Sequence, residues 1–242
     1  TDDIYLEAYS FYLINNHAKK VSTDGAHRLL VDGVNNGNVN FINELGKISM
    51  GYIECANIVD NFSNNSLVWA NRVKDFNEKA PDKPITATAL TKLVEIIWET
   101  LAQTTTTNLR KATEDVVEAY WEALSDIFPM MFRVGTYRNF NILKASQAEV
   151  MFLILRDLIK LDRSGHTIGN LTQKNTWKNF MYKTLRSFKD TTTQGATVKG
   201  EQCWLVGSKK GSMGNYTSSQ AKADIARKLF EDICHDNGVP GF

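Results

Sequence analysis

Five cations recur between residues 174 and 189 at spacings that can put a row of positive charge on one side of a helix: Lys174, Lys178, Lys183, Arg186 and Lys189. At about 100° per residue they fall at about 0°, 40°, 180°, 120° and 60°. Trp177, Phe180, Met181, Leu185 and Phe188 fall at about 300°, 240°, 340°, 20° and 320°, and no acidic residue intervenes before Asp190. One side is therefore apolar and the other entirely cationic. Such a face can lie along a phosphate backbone and bind it with salt-dependent, sequence-independent affinity. A second basic group, Lys209 and Lys210, sits in the glycine-bearing stretch Val206 to Gly214 (VGSKKGSMG). That stretch does not match the phosphate-loop pattern GxxxxGKS or GxxxxGKT, because no Lys follows Gly211, and it reads as a basic turn able to touch phosphate.

Other reactive side chains form no recognisable constellation. His17, His27, His166 and His235 are scattered, without a metal-ligand spacing such as HExxH, so no metal is expected. Ser187, Ser208 and Ser212 lie in no GxSxG elbow. Glu114, Asp115 and Glu118 read as the solvated face of a helix. The three cysteines, Cys55, Cys203 and Cys234, are odd in number and contain no CxxC pair, which argues against a disulfide framework or a cysteine zinc site. A reducing cytoplasm is the simplest compartment, and no cofactor is expected.

The charge on these segments is hidden in the total. The chain has 242 residues, 28 Lys+Arg and 27 Asp+Glu, for a formal net charge of +1. Residues 156–230 hold fourteen Lys+Arg and only five Asp+Glu, a local charge of +9, which leaves −8 on the remainder. Asymmetry of this kind points to a polyanionic partner. The composition, 43% hydrophobic, 10% aromatic and 23% charged, is that of a globular protein with a substantial core. The longest apolar run, Val150 to Leu155, is far short of the ~20 residues that cross a membrane, so no membrane partner is expected. The acidic N-terminus lacks the basic region of a signal peptide, and a chain beginning at Thr1 reads as trimmed or truncated.

The elements that must position the cations can be read from periodicity. Ala8 to Asn15 has strand character. Thr23 or Ser22 caps a helix carrying Leu29, Leu30 and Val34, and Ile48 to Phe62 repeats apolar residues at spacings of three and four. Ser66 to Phe76 reads as a short strand, and Asn77 to Pro84 as a break. Thr86 caps a helix burying Leu90, Leu93, Val94, Ile97, Trp98 and Leu101; a second helix, about Leu109 to Phe128, is ended by Pro129. Ser146 and Glu149 form a capping box before a helix apolar nearly all round, closed by Gly165. The helix at about Thr172 to Phe188, a strand at Gln202 to Val206, and a terminal helix capped by Thr217 with Gln220 complete the reading. The fold class is α+β, mostly α-helical with a few short strands. Two domains are expected: residues 1–84, mixed strand and helix, and residues 85–242, helical with a basic surface.

Asp24-Gly25-Ala26-His27-Arg28 resembles the DGQHR signature of a family of DNA-modification-associated proteins, with Ala26 in place of Gln. In that family the signature follows a hydrophobic strand, whereas here polar His17 to Ser22 precedes it. Further blocks are similar to the family's downstream part: Phe11 to Asn15 with Lys19, Lys20 and Val21, then Leu29-Leu30; Ile58-Val59, Asn61, Ser66, Trp69 and Arg72-Val73; and Val117 to Phe128 followed by Asn141 to Lys144. The resemblance covers most of the chain. It implies a ParB-like core, a signature proper in a segment before Thr1, and a role in DNA modification, phage defence or transcriptional regulation.

The leading expectation is a DNA-binding regulatory or defence-associated protein that contacts the phosphate backbone through Lys174, Lys178, Lys183, Arg186, Lys189, Lys209 and Lys210. The alternative is a nucleotide hydrolase or nuclease with a degenerate DGxHR site, in which Arg28 holds phosphate and His27, beside Asp24, acts as acid or base. A third expectation is that the acidic majority docks on a second copy of the chain or on a missing N-terminal segment.

Overall fold

Amphipathic repeats in this chain produce helices that each bury one stripe, and the longest apolar helix becomes the centre around which the others pack. The computed structural model describes residues 23–37, 50–75, 78, 80, 82–104, 107–206 and 211–242. Among them the helices are α1 (Thr23–Asn35), α2 (Met50–Asn65), α3 (Ala87–Ala102), α4 (Leu109–Ile127), α5 (Pro129–Phe132), α6 (Ala145–Arg163), α7 (Lys174–Ser187) and α8 (Ser219–Asp236). Two small sheets accompany them. β1 (Val73–Lys74) pairs in parallel with β2 (Ile85–Thr86), and β3 (Lys189–Thr191) pairs antiparallel with β4 (Thr197–Lys199). The fold is thus α+β and mostly helical with a few short strands. The strand expected at Ala8 to Asn15 lies outside the described residues.

Local signals and tertiary partners compete at the helix ends. Thr86 caps α3 as expected, its Oγ1 accepting from the Ala89 amide at 3.2 Å. The terminal helix is capped instead by Ser218, whose Oγ accepts from the Ala221 amide at 3.2 Å, while Gln220 turns to Asp224. The Ser146 and Glu149 box does not form either. Lys144 is the N-cap of α6, and Glu149 pairs with Lys222 of α8, a charged partner that outcompetes a local amide. Pro129 ends α4 and starts α5, where its missing N–H is no loss.

Two expected strands are replaced by turns. Among the described residues of the stretch expected as a strand, 66–75, only Val73–Lys74 is extended, because the Ser66 hydroxyl accepts the amides of Val68 at 3.1 Å and Trp69 at 3.0 Å and curls the chain. Asn71 completes the curl with φ of 60°. Arg72 then runs back through it. Its guanidinium donates to Val68 O at 2.6 Å and to Phe132 O, and lies 5.2 Å from the Tyr137 ring centroid. Gln202 to Val206 is mostly a 3-10 helix, Gly200–Trp204, with Leu205 alone bridging to Phe140.

α6 lies at the centre, with Val150, Met151, Phe152, Ile154, Leu155, Leu158 and Ile159 all fully buried. It packs on α3 and α8, and α4 packs on α3 and α7. Aromatic edges bind these layers. Trp121 of α4 meets Trp69 at 4.7 Å between centroids, and Tyr120 meets Trp177 of α7 at 5.6 Å while donating to Met151 O at 3.0 Å. One buried cluster runs from Cys55 to Val239 and so crosses the boundary expected at 84/85; β1 and β2 also pair across it. A smaller cluster of Leu30, Val31, Tyr52 and Ile53 joins α1 to α2.

Candidate nucleic-acid interface

The apolar stripe of α7 sets the direction of its cations. Trp177, Met181 and Leu185 are fully buried, and Trp177 Nε1 donates to Leu171 O at 2.7 Å, so the opposite side must face outward. The face is nevertheless not purely cationic. Lys174 and Lys178 lie 3.4 and 3.3 Å from the same oxygen, Oδ2 of Asp126 on α4. Lys183 lies 2.8 Å from Asp236 Oδ1 at the end of α8, and Arg186 lies 3.8 Å from Glu201 Oε2. Carboxylates absent from the helix itself are thus supplied by its neighbours. The ion pair with Lys183 and a 2.6 Å hydrogen bond from the Thr184 hydroxyl hold Asp236 below the usual carboxylate value. Exposed pairs of this kind are weak and screened by salt, so a polyanion can still compete for the cations.

Beyond α7 the chain turns into the β3–β4 hairpin. Gly195, with φ of 79°, allows the tight turn, and Thr192 closes it by donating its amide to Ala196 O and accepting the Ala196 amide on its hydroxyl. The register pairs Lys189 with Lys199, Asp190 with Val198 and Thr191 with Thr197. Strand alternation sends Asp190 and Val198 inward, where Asp190 accepts a 2.8 Å hydrogen bond from the Tyr216 hydroxyl. Lys189 and Lys199 stay exposed on the other side. Directly opposed like charges disfavour a ladder, and neither lysine has a carboxylate partner among the described residues. Lys228 of α8 adds a third cation, its Nζ 5.3 Å from the Phe188 ring centroid. Gly200 fastens the hairpin to α7: its amide donates to Phe188 O, and a Cβ there would lie 3.0 Å from Arg186 O.

The expected site residues are therefore brought together unevenly. Arg186 and Lys189 cluster at the hairpin, Lys183 is on the adjoining turn of α7, and Lys174 and Lys178 are drawn to Asp126. Lys209 and Lys210 lie outside the described residues. Lys199 and Lys228 were missed as site residues. The TTTQGAT stretch before Lys199 carries the turn signal that could have paired it with Lys189, whereas Lys228 could be placed only by the packing of α8.

The alternative site gives a different picture. Arg28 Nη1 lies 2.7 and 2.8 Å from the two carboxylate oxygens of Asp60 on α2, and its Nε lies 3.2 Å from Asp32. The guanidinium so ties α1 to α2 rather than reaching out for phosphate. Burial pushes the Asp60 carboxyl up from its usual value against the opposing effect of Arg28. A hollow of about 320 Å3 adjoins the pair, with Asp75, Lys83 and Asn71 on its rim. Asp24 and His27 fall within the backbone of α1, but their side chains lie outside the described residues.

No protein-family model, curated protein or solved structure matches the chain.

The acidic group on α4 is not a simple solvated face. Glu118 accepts the Leu67 amide at 3.2 Å, and burial pushes its carboxyl up from the ordinary value. Glu114 accepts a hydrogen bond from Asn61 of α2. Among the described residues no three His, Cys, Asp or Glu side chains gather as a metal-holding group, and no helix is long and apolar enough to cross a membrane.

Proposed function

We propose that the protein binds DNA through its phosphate backbone, using Lys183, Arg186, Lys189, Lys199 and Lys228, and acts as a regulatory or phage-defence factor in DNA modification. The observation that carries this reading is the exposed cross-strand pair Lys189 and Lys199. A fold gains nothing from opposing two ammonium groups on a short hairpin, whereas a phosphate lying between them relieves their repulsion and releases its own counterions. The cations at the end of α7 extend the positive surface. The regulatory and defence assignment rests on the DGQHR resemblance alone. Commitment of Arg28 to Asp60 and Asp32 favours binding over nucleotide hydrolysis at residues 24–28. The buried free thiols Cys55, Cys203 and Cys234 support a reducing compartment such as the cytoplasm.

Fluorescence anisotropy with duplex DNA at two salt concentrations tests the proposal. Affinity should fall steeply with salt, and Lys189→Glu with Lys199→Glu should lower it at least tenfold at low salt. Absence of binding at low salt, or equal binding by the double variant, would overturn the reading.

A further inference from the structure

Opposite its buried stripe, α7 exposes one line of side chains. Trp177, Met181, Thr184 and Leu185, all buried, occupy the arc from about 280° to about 20°. Tyr182, Asn175, Arg186 and Asn179 fall at about 80°, 100°, 120° and 140°, with Lys183 at about 180°, and all five are exposed. Lys178, half-buried at about 40°, borders the other edge. The outermost line of the helix therefore carries two carboxamides, a phenol and a guanidinium, with a lysine on either flank. No acidic residue stands on it.

These groups are not engaged in holding the fold. The carboxamides of Asn175 and Asn179 and the Tyr182 hydroxyl form no hydrogen bond among the described residues, and the Tyr182 side chain is 49% exposed. Arg186 has Glu201 only at 3.8 Å, a separation that leaves the guanidinium free to turn outward. A hollow of about 400 Å3 opens beside Asn175 and Asn179, with Gln173, Thr176 and Asn237 on its wall and no charged side chain in its lining. The residue types decide what such a line can recognise. A carboxamide pairs two-pronged with adenine and a guanidinium with guanine, on base edges that lie in the DNA major groove, which admits an α-helix. A helix that only followed phosphates would need cations along its outermost line. α7 instead keeps Lys178 and Lys183 at the edges of that line, where the phosphate walls of a groove would stand.

We propose that α7 is a recognition helix, which enters the major groove of duplex DNA and reads base edges, so that the protein prefers a particular sequence. The inference rests on the DNA-binding reading and adds sequence preference to it. Asn175 and Asn179 pair with adenine, the amide oxygen accepting from N6 and the amide nitrogen donating to N7. Arg186, which serves phosphate on a random sequence, turns to guanine O6 and N7 on the preferred one, and the Tyr182 ring lies against a thymine methyl. Lys183 and the hairpin lysines Lys189 and Lys199 hold phosphates and so set the helix in register. Asn179 and Arg186 are seven residues apart, about 10 Å along the helix. At about 3.4 Å per base pair, the preferred site carries adenine and guanine about three base pairs apart.

Selection of bound sequences from a random duplex library by the full chain, followed by anisotropy with the selected duplex and a scrambled one of the same length, tests the assignment. The selected duplex should carry both bases at that spacing and bind at least about tenfold more tightly than the scrambled one. Asn179→Ala should lower this ratio about tenfold and no longer respond when the adenine is replaced. Arg186→Lys keeps the charge but loses the planar fork, and should do the same at the guanine. Both residues are exposed, so the melting temperature of each variant should stay at that of the parent chain. Lys189→Glu with Lys199→Glu should weaken both duplexes alike, because phosphate contacts carry no sequence information. Binding without any enriched sequence, or a preference kept in full by both α7 variants, would overturn the recognition helix and leave the phosphate-backbone reading standing. Absence of binding to either duplex at low salt would overturn both.

Discussion

Lys189 and Lys199 stand directly opposite each other in the β3–β4 ladder, both exposed. Reversing one charge should move stability and affinity in opposite directions. Lys199→Glu is expected to stabilise the hairpin by about 0.2–1 kcal/mol as an opposite-charge pair and to weaken duplex binding. Thermal denaturation and anisotropy on the same sample check both signs; undiminished affinity would remove the hairpin from the interface.

Asp126 is shared by Lys174 and Lys178, so it neutralises the first turns of α7 from outside the helix. Asp126→Asn should raise duplex affinity several-fold at low salt, with the gain disappearing at high salt as the added attraction is screened. Titrations at two ionic strengths provide the check, and a salt-independent change would indicate an altered fold.

Arg72 is a structural cation. It is 8% exposed, donates to two carbonyl oxygens and is pushed below its ordinary value by burial. Arg72→Met should leave the Val68 and Phe132 carbonyls without this donor and destabilise the chain by about 2–4 kcal/mol. Arg72→Lys should recover little, because a single ammonium lacks the planar fork that reaches both oxygens. Urea unfolding measures the loss.

Glu118 should make stability depend on pH. Its folded-state value lies above that of the unfolded chain because burial favours the protonated form. Its contribution is complete below the ordinary carboxylate range and is lost as pH rises through the raised value. Glu118→Gln keeps an acceptor for the Leu67 amide and should raise the melting midpoint at neutral pH by a few degrees while flattening this dependence. Melting curves between about pH 4 and 7 test the sign.

Much of the helical frame was legible because its signals are local. Trp177, Met181 and Leu185 mark the buried stripe of α7, Thr86 caps α3, and the all-round apolar character of 150–159 places α6 at the centre. The Ser146 and Glu149 box failed because distant Lys222 takes Glu149, whereas the Thr217 and Gln220 box lost to close neighbours, Ser218 as the cap and Asp224 as the partner of Gln220. Ser66 misled for a related reason: its hydroxyl bonds to the backbone within three residues and turns a strand-like composition into a curl. The candidate surface was legible only as a row of positive charge, without Lys199, Lys228 or the three carboxylates set against it.

The amino-acid order by itself determined which faces are apolar, where α7 carries its cations, and that the charge is divided unequally along the chain. Those properties depend on spacings of three or four residues, which the helical repeat converts directly into a face. Tertiary structure alone decided that Asp126, Glu201 and Asp236 reach that face, that Arg28 is held by Asp60, and that Asn141 and Gln147 line one cleft with Gly211 and Gly214. An ion pair or hydrogen bond exists only within a few ångströms, and packing of α4, α6 and α8 brings together groups that lie tens of residues apart.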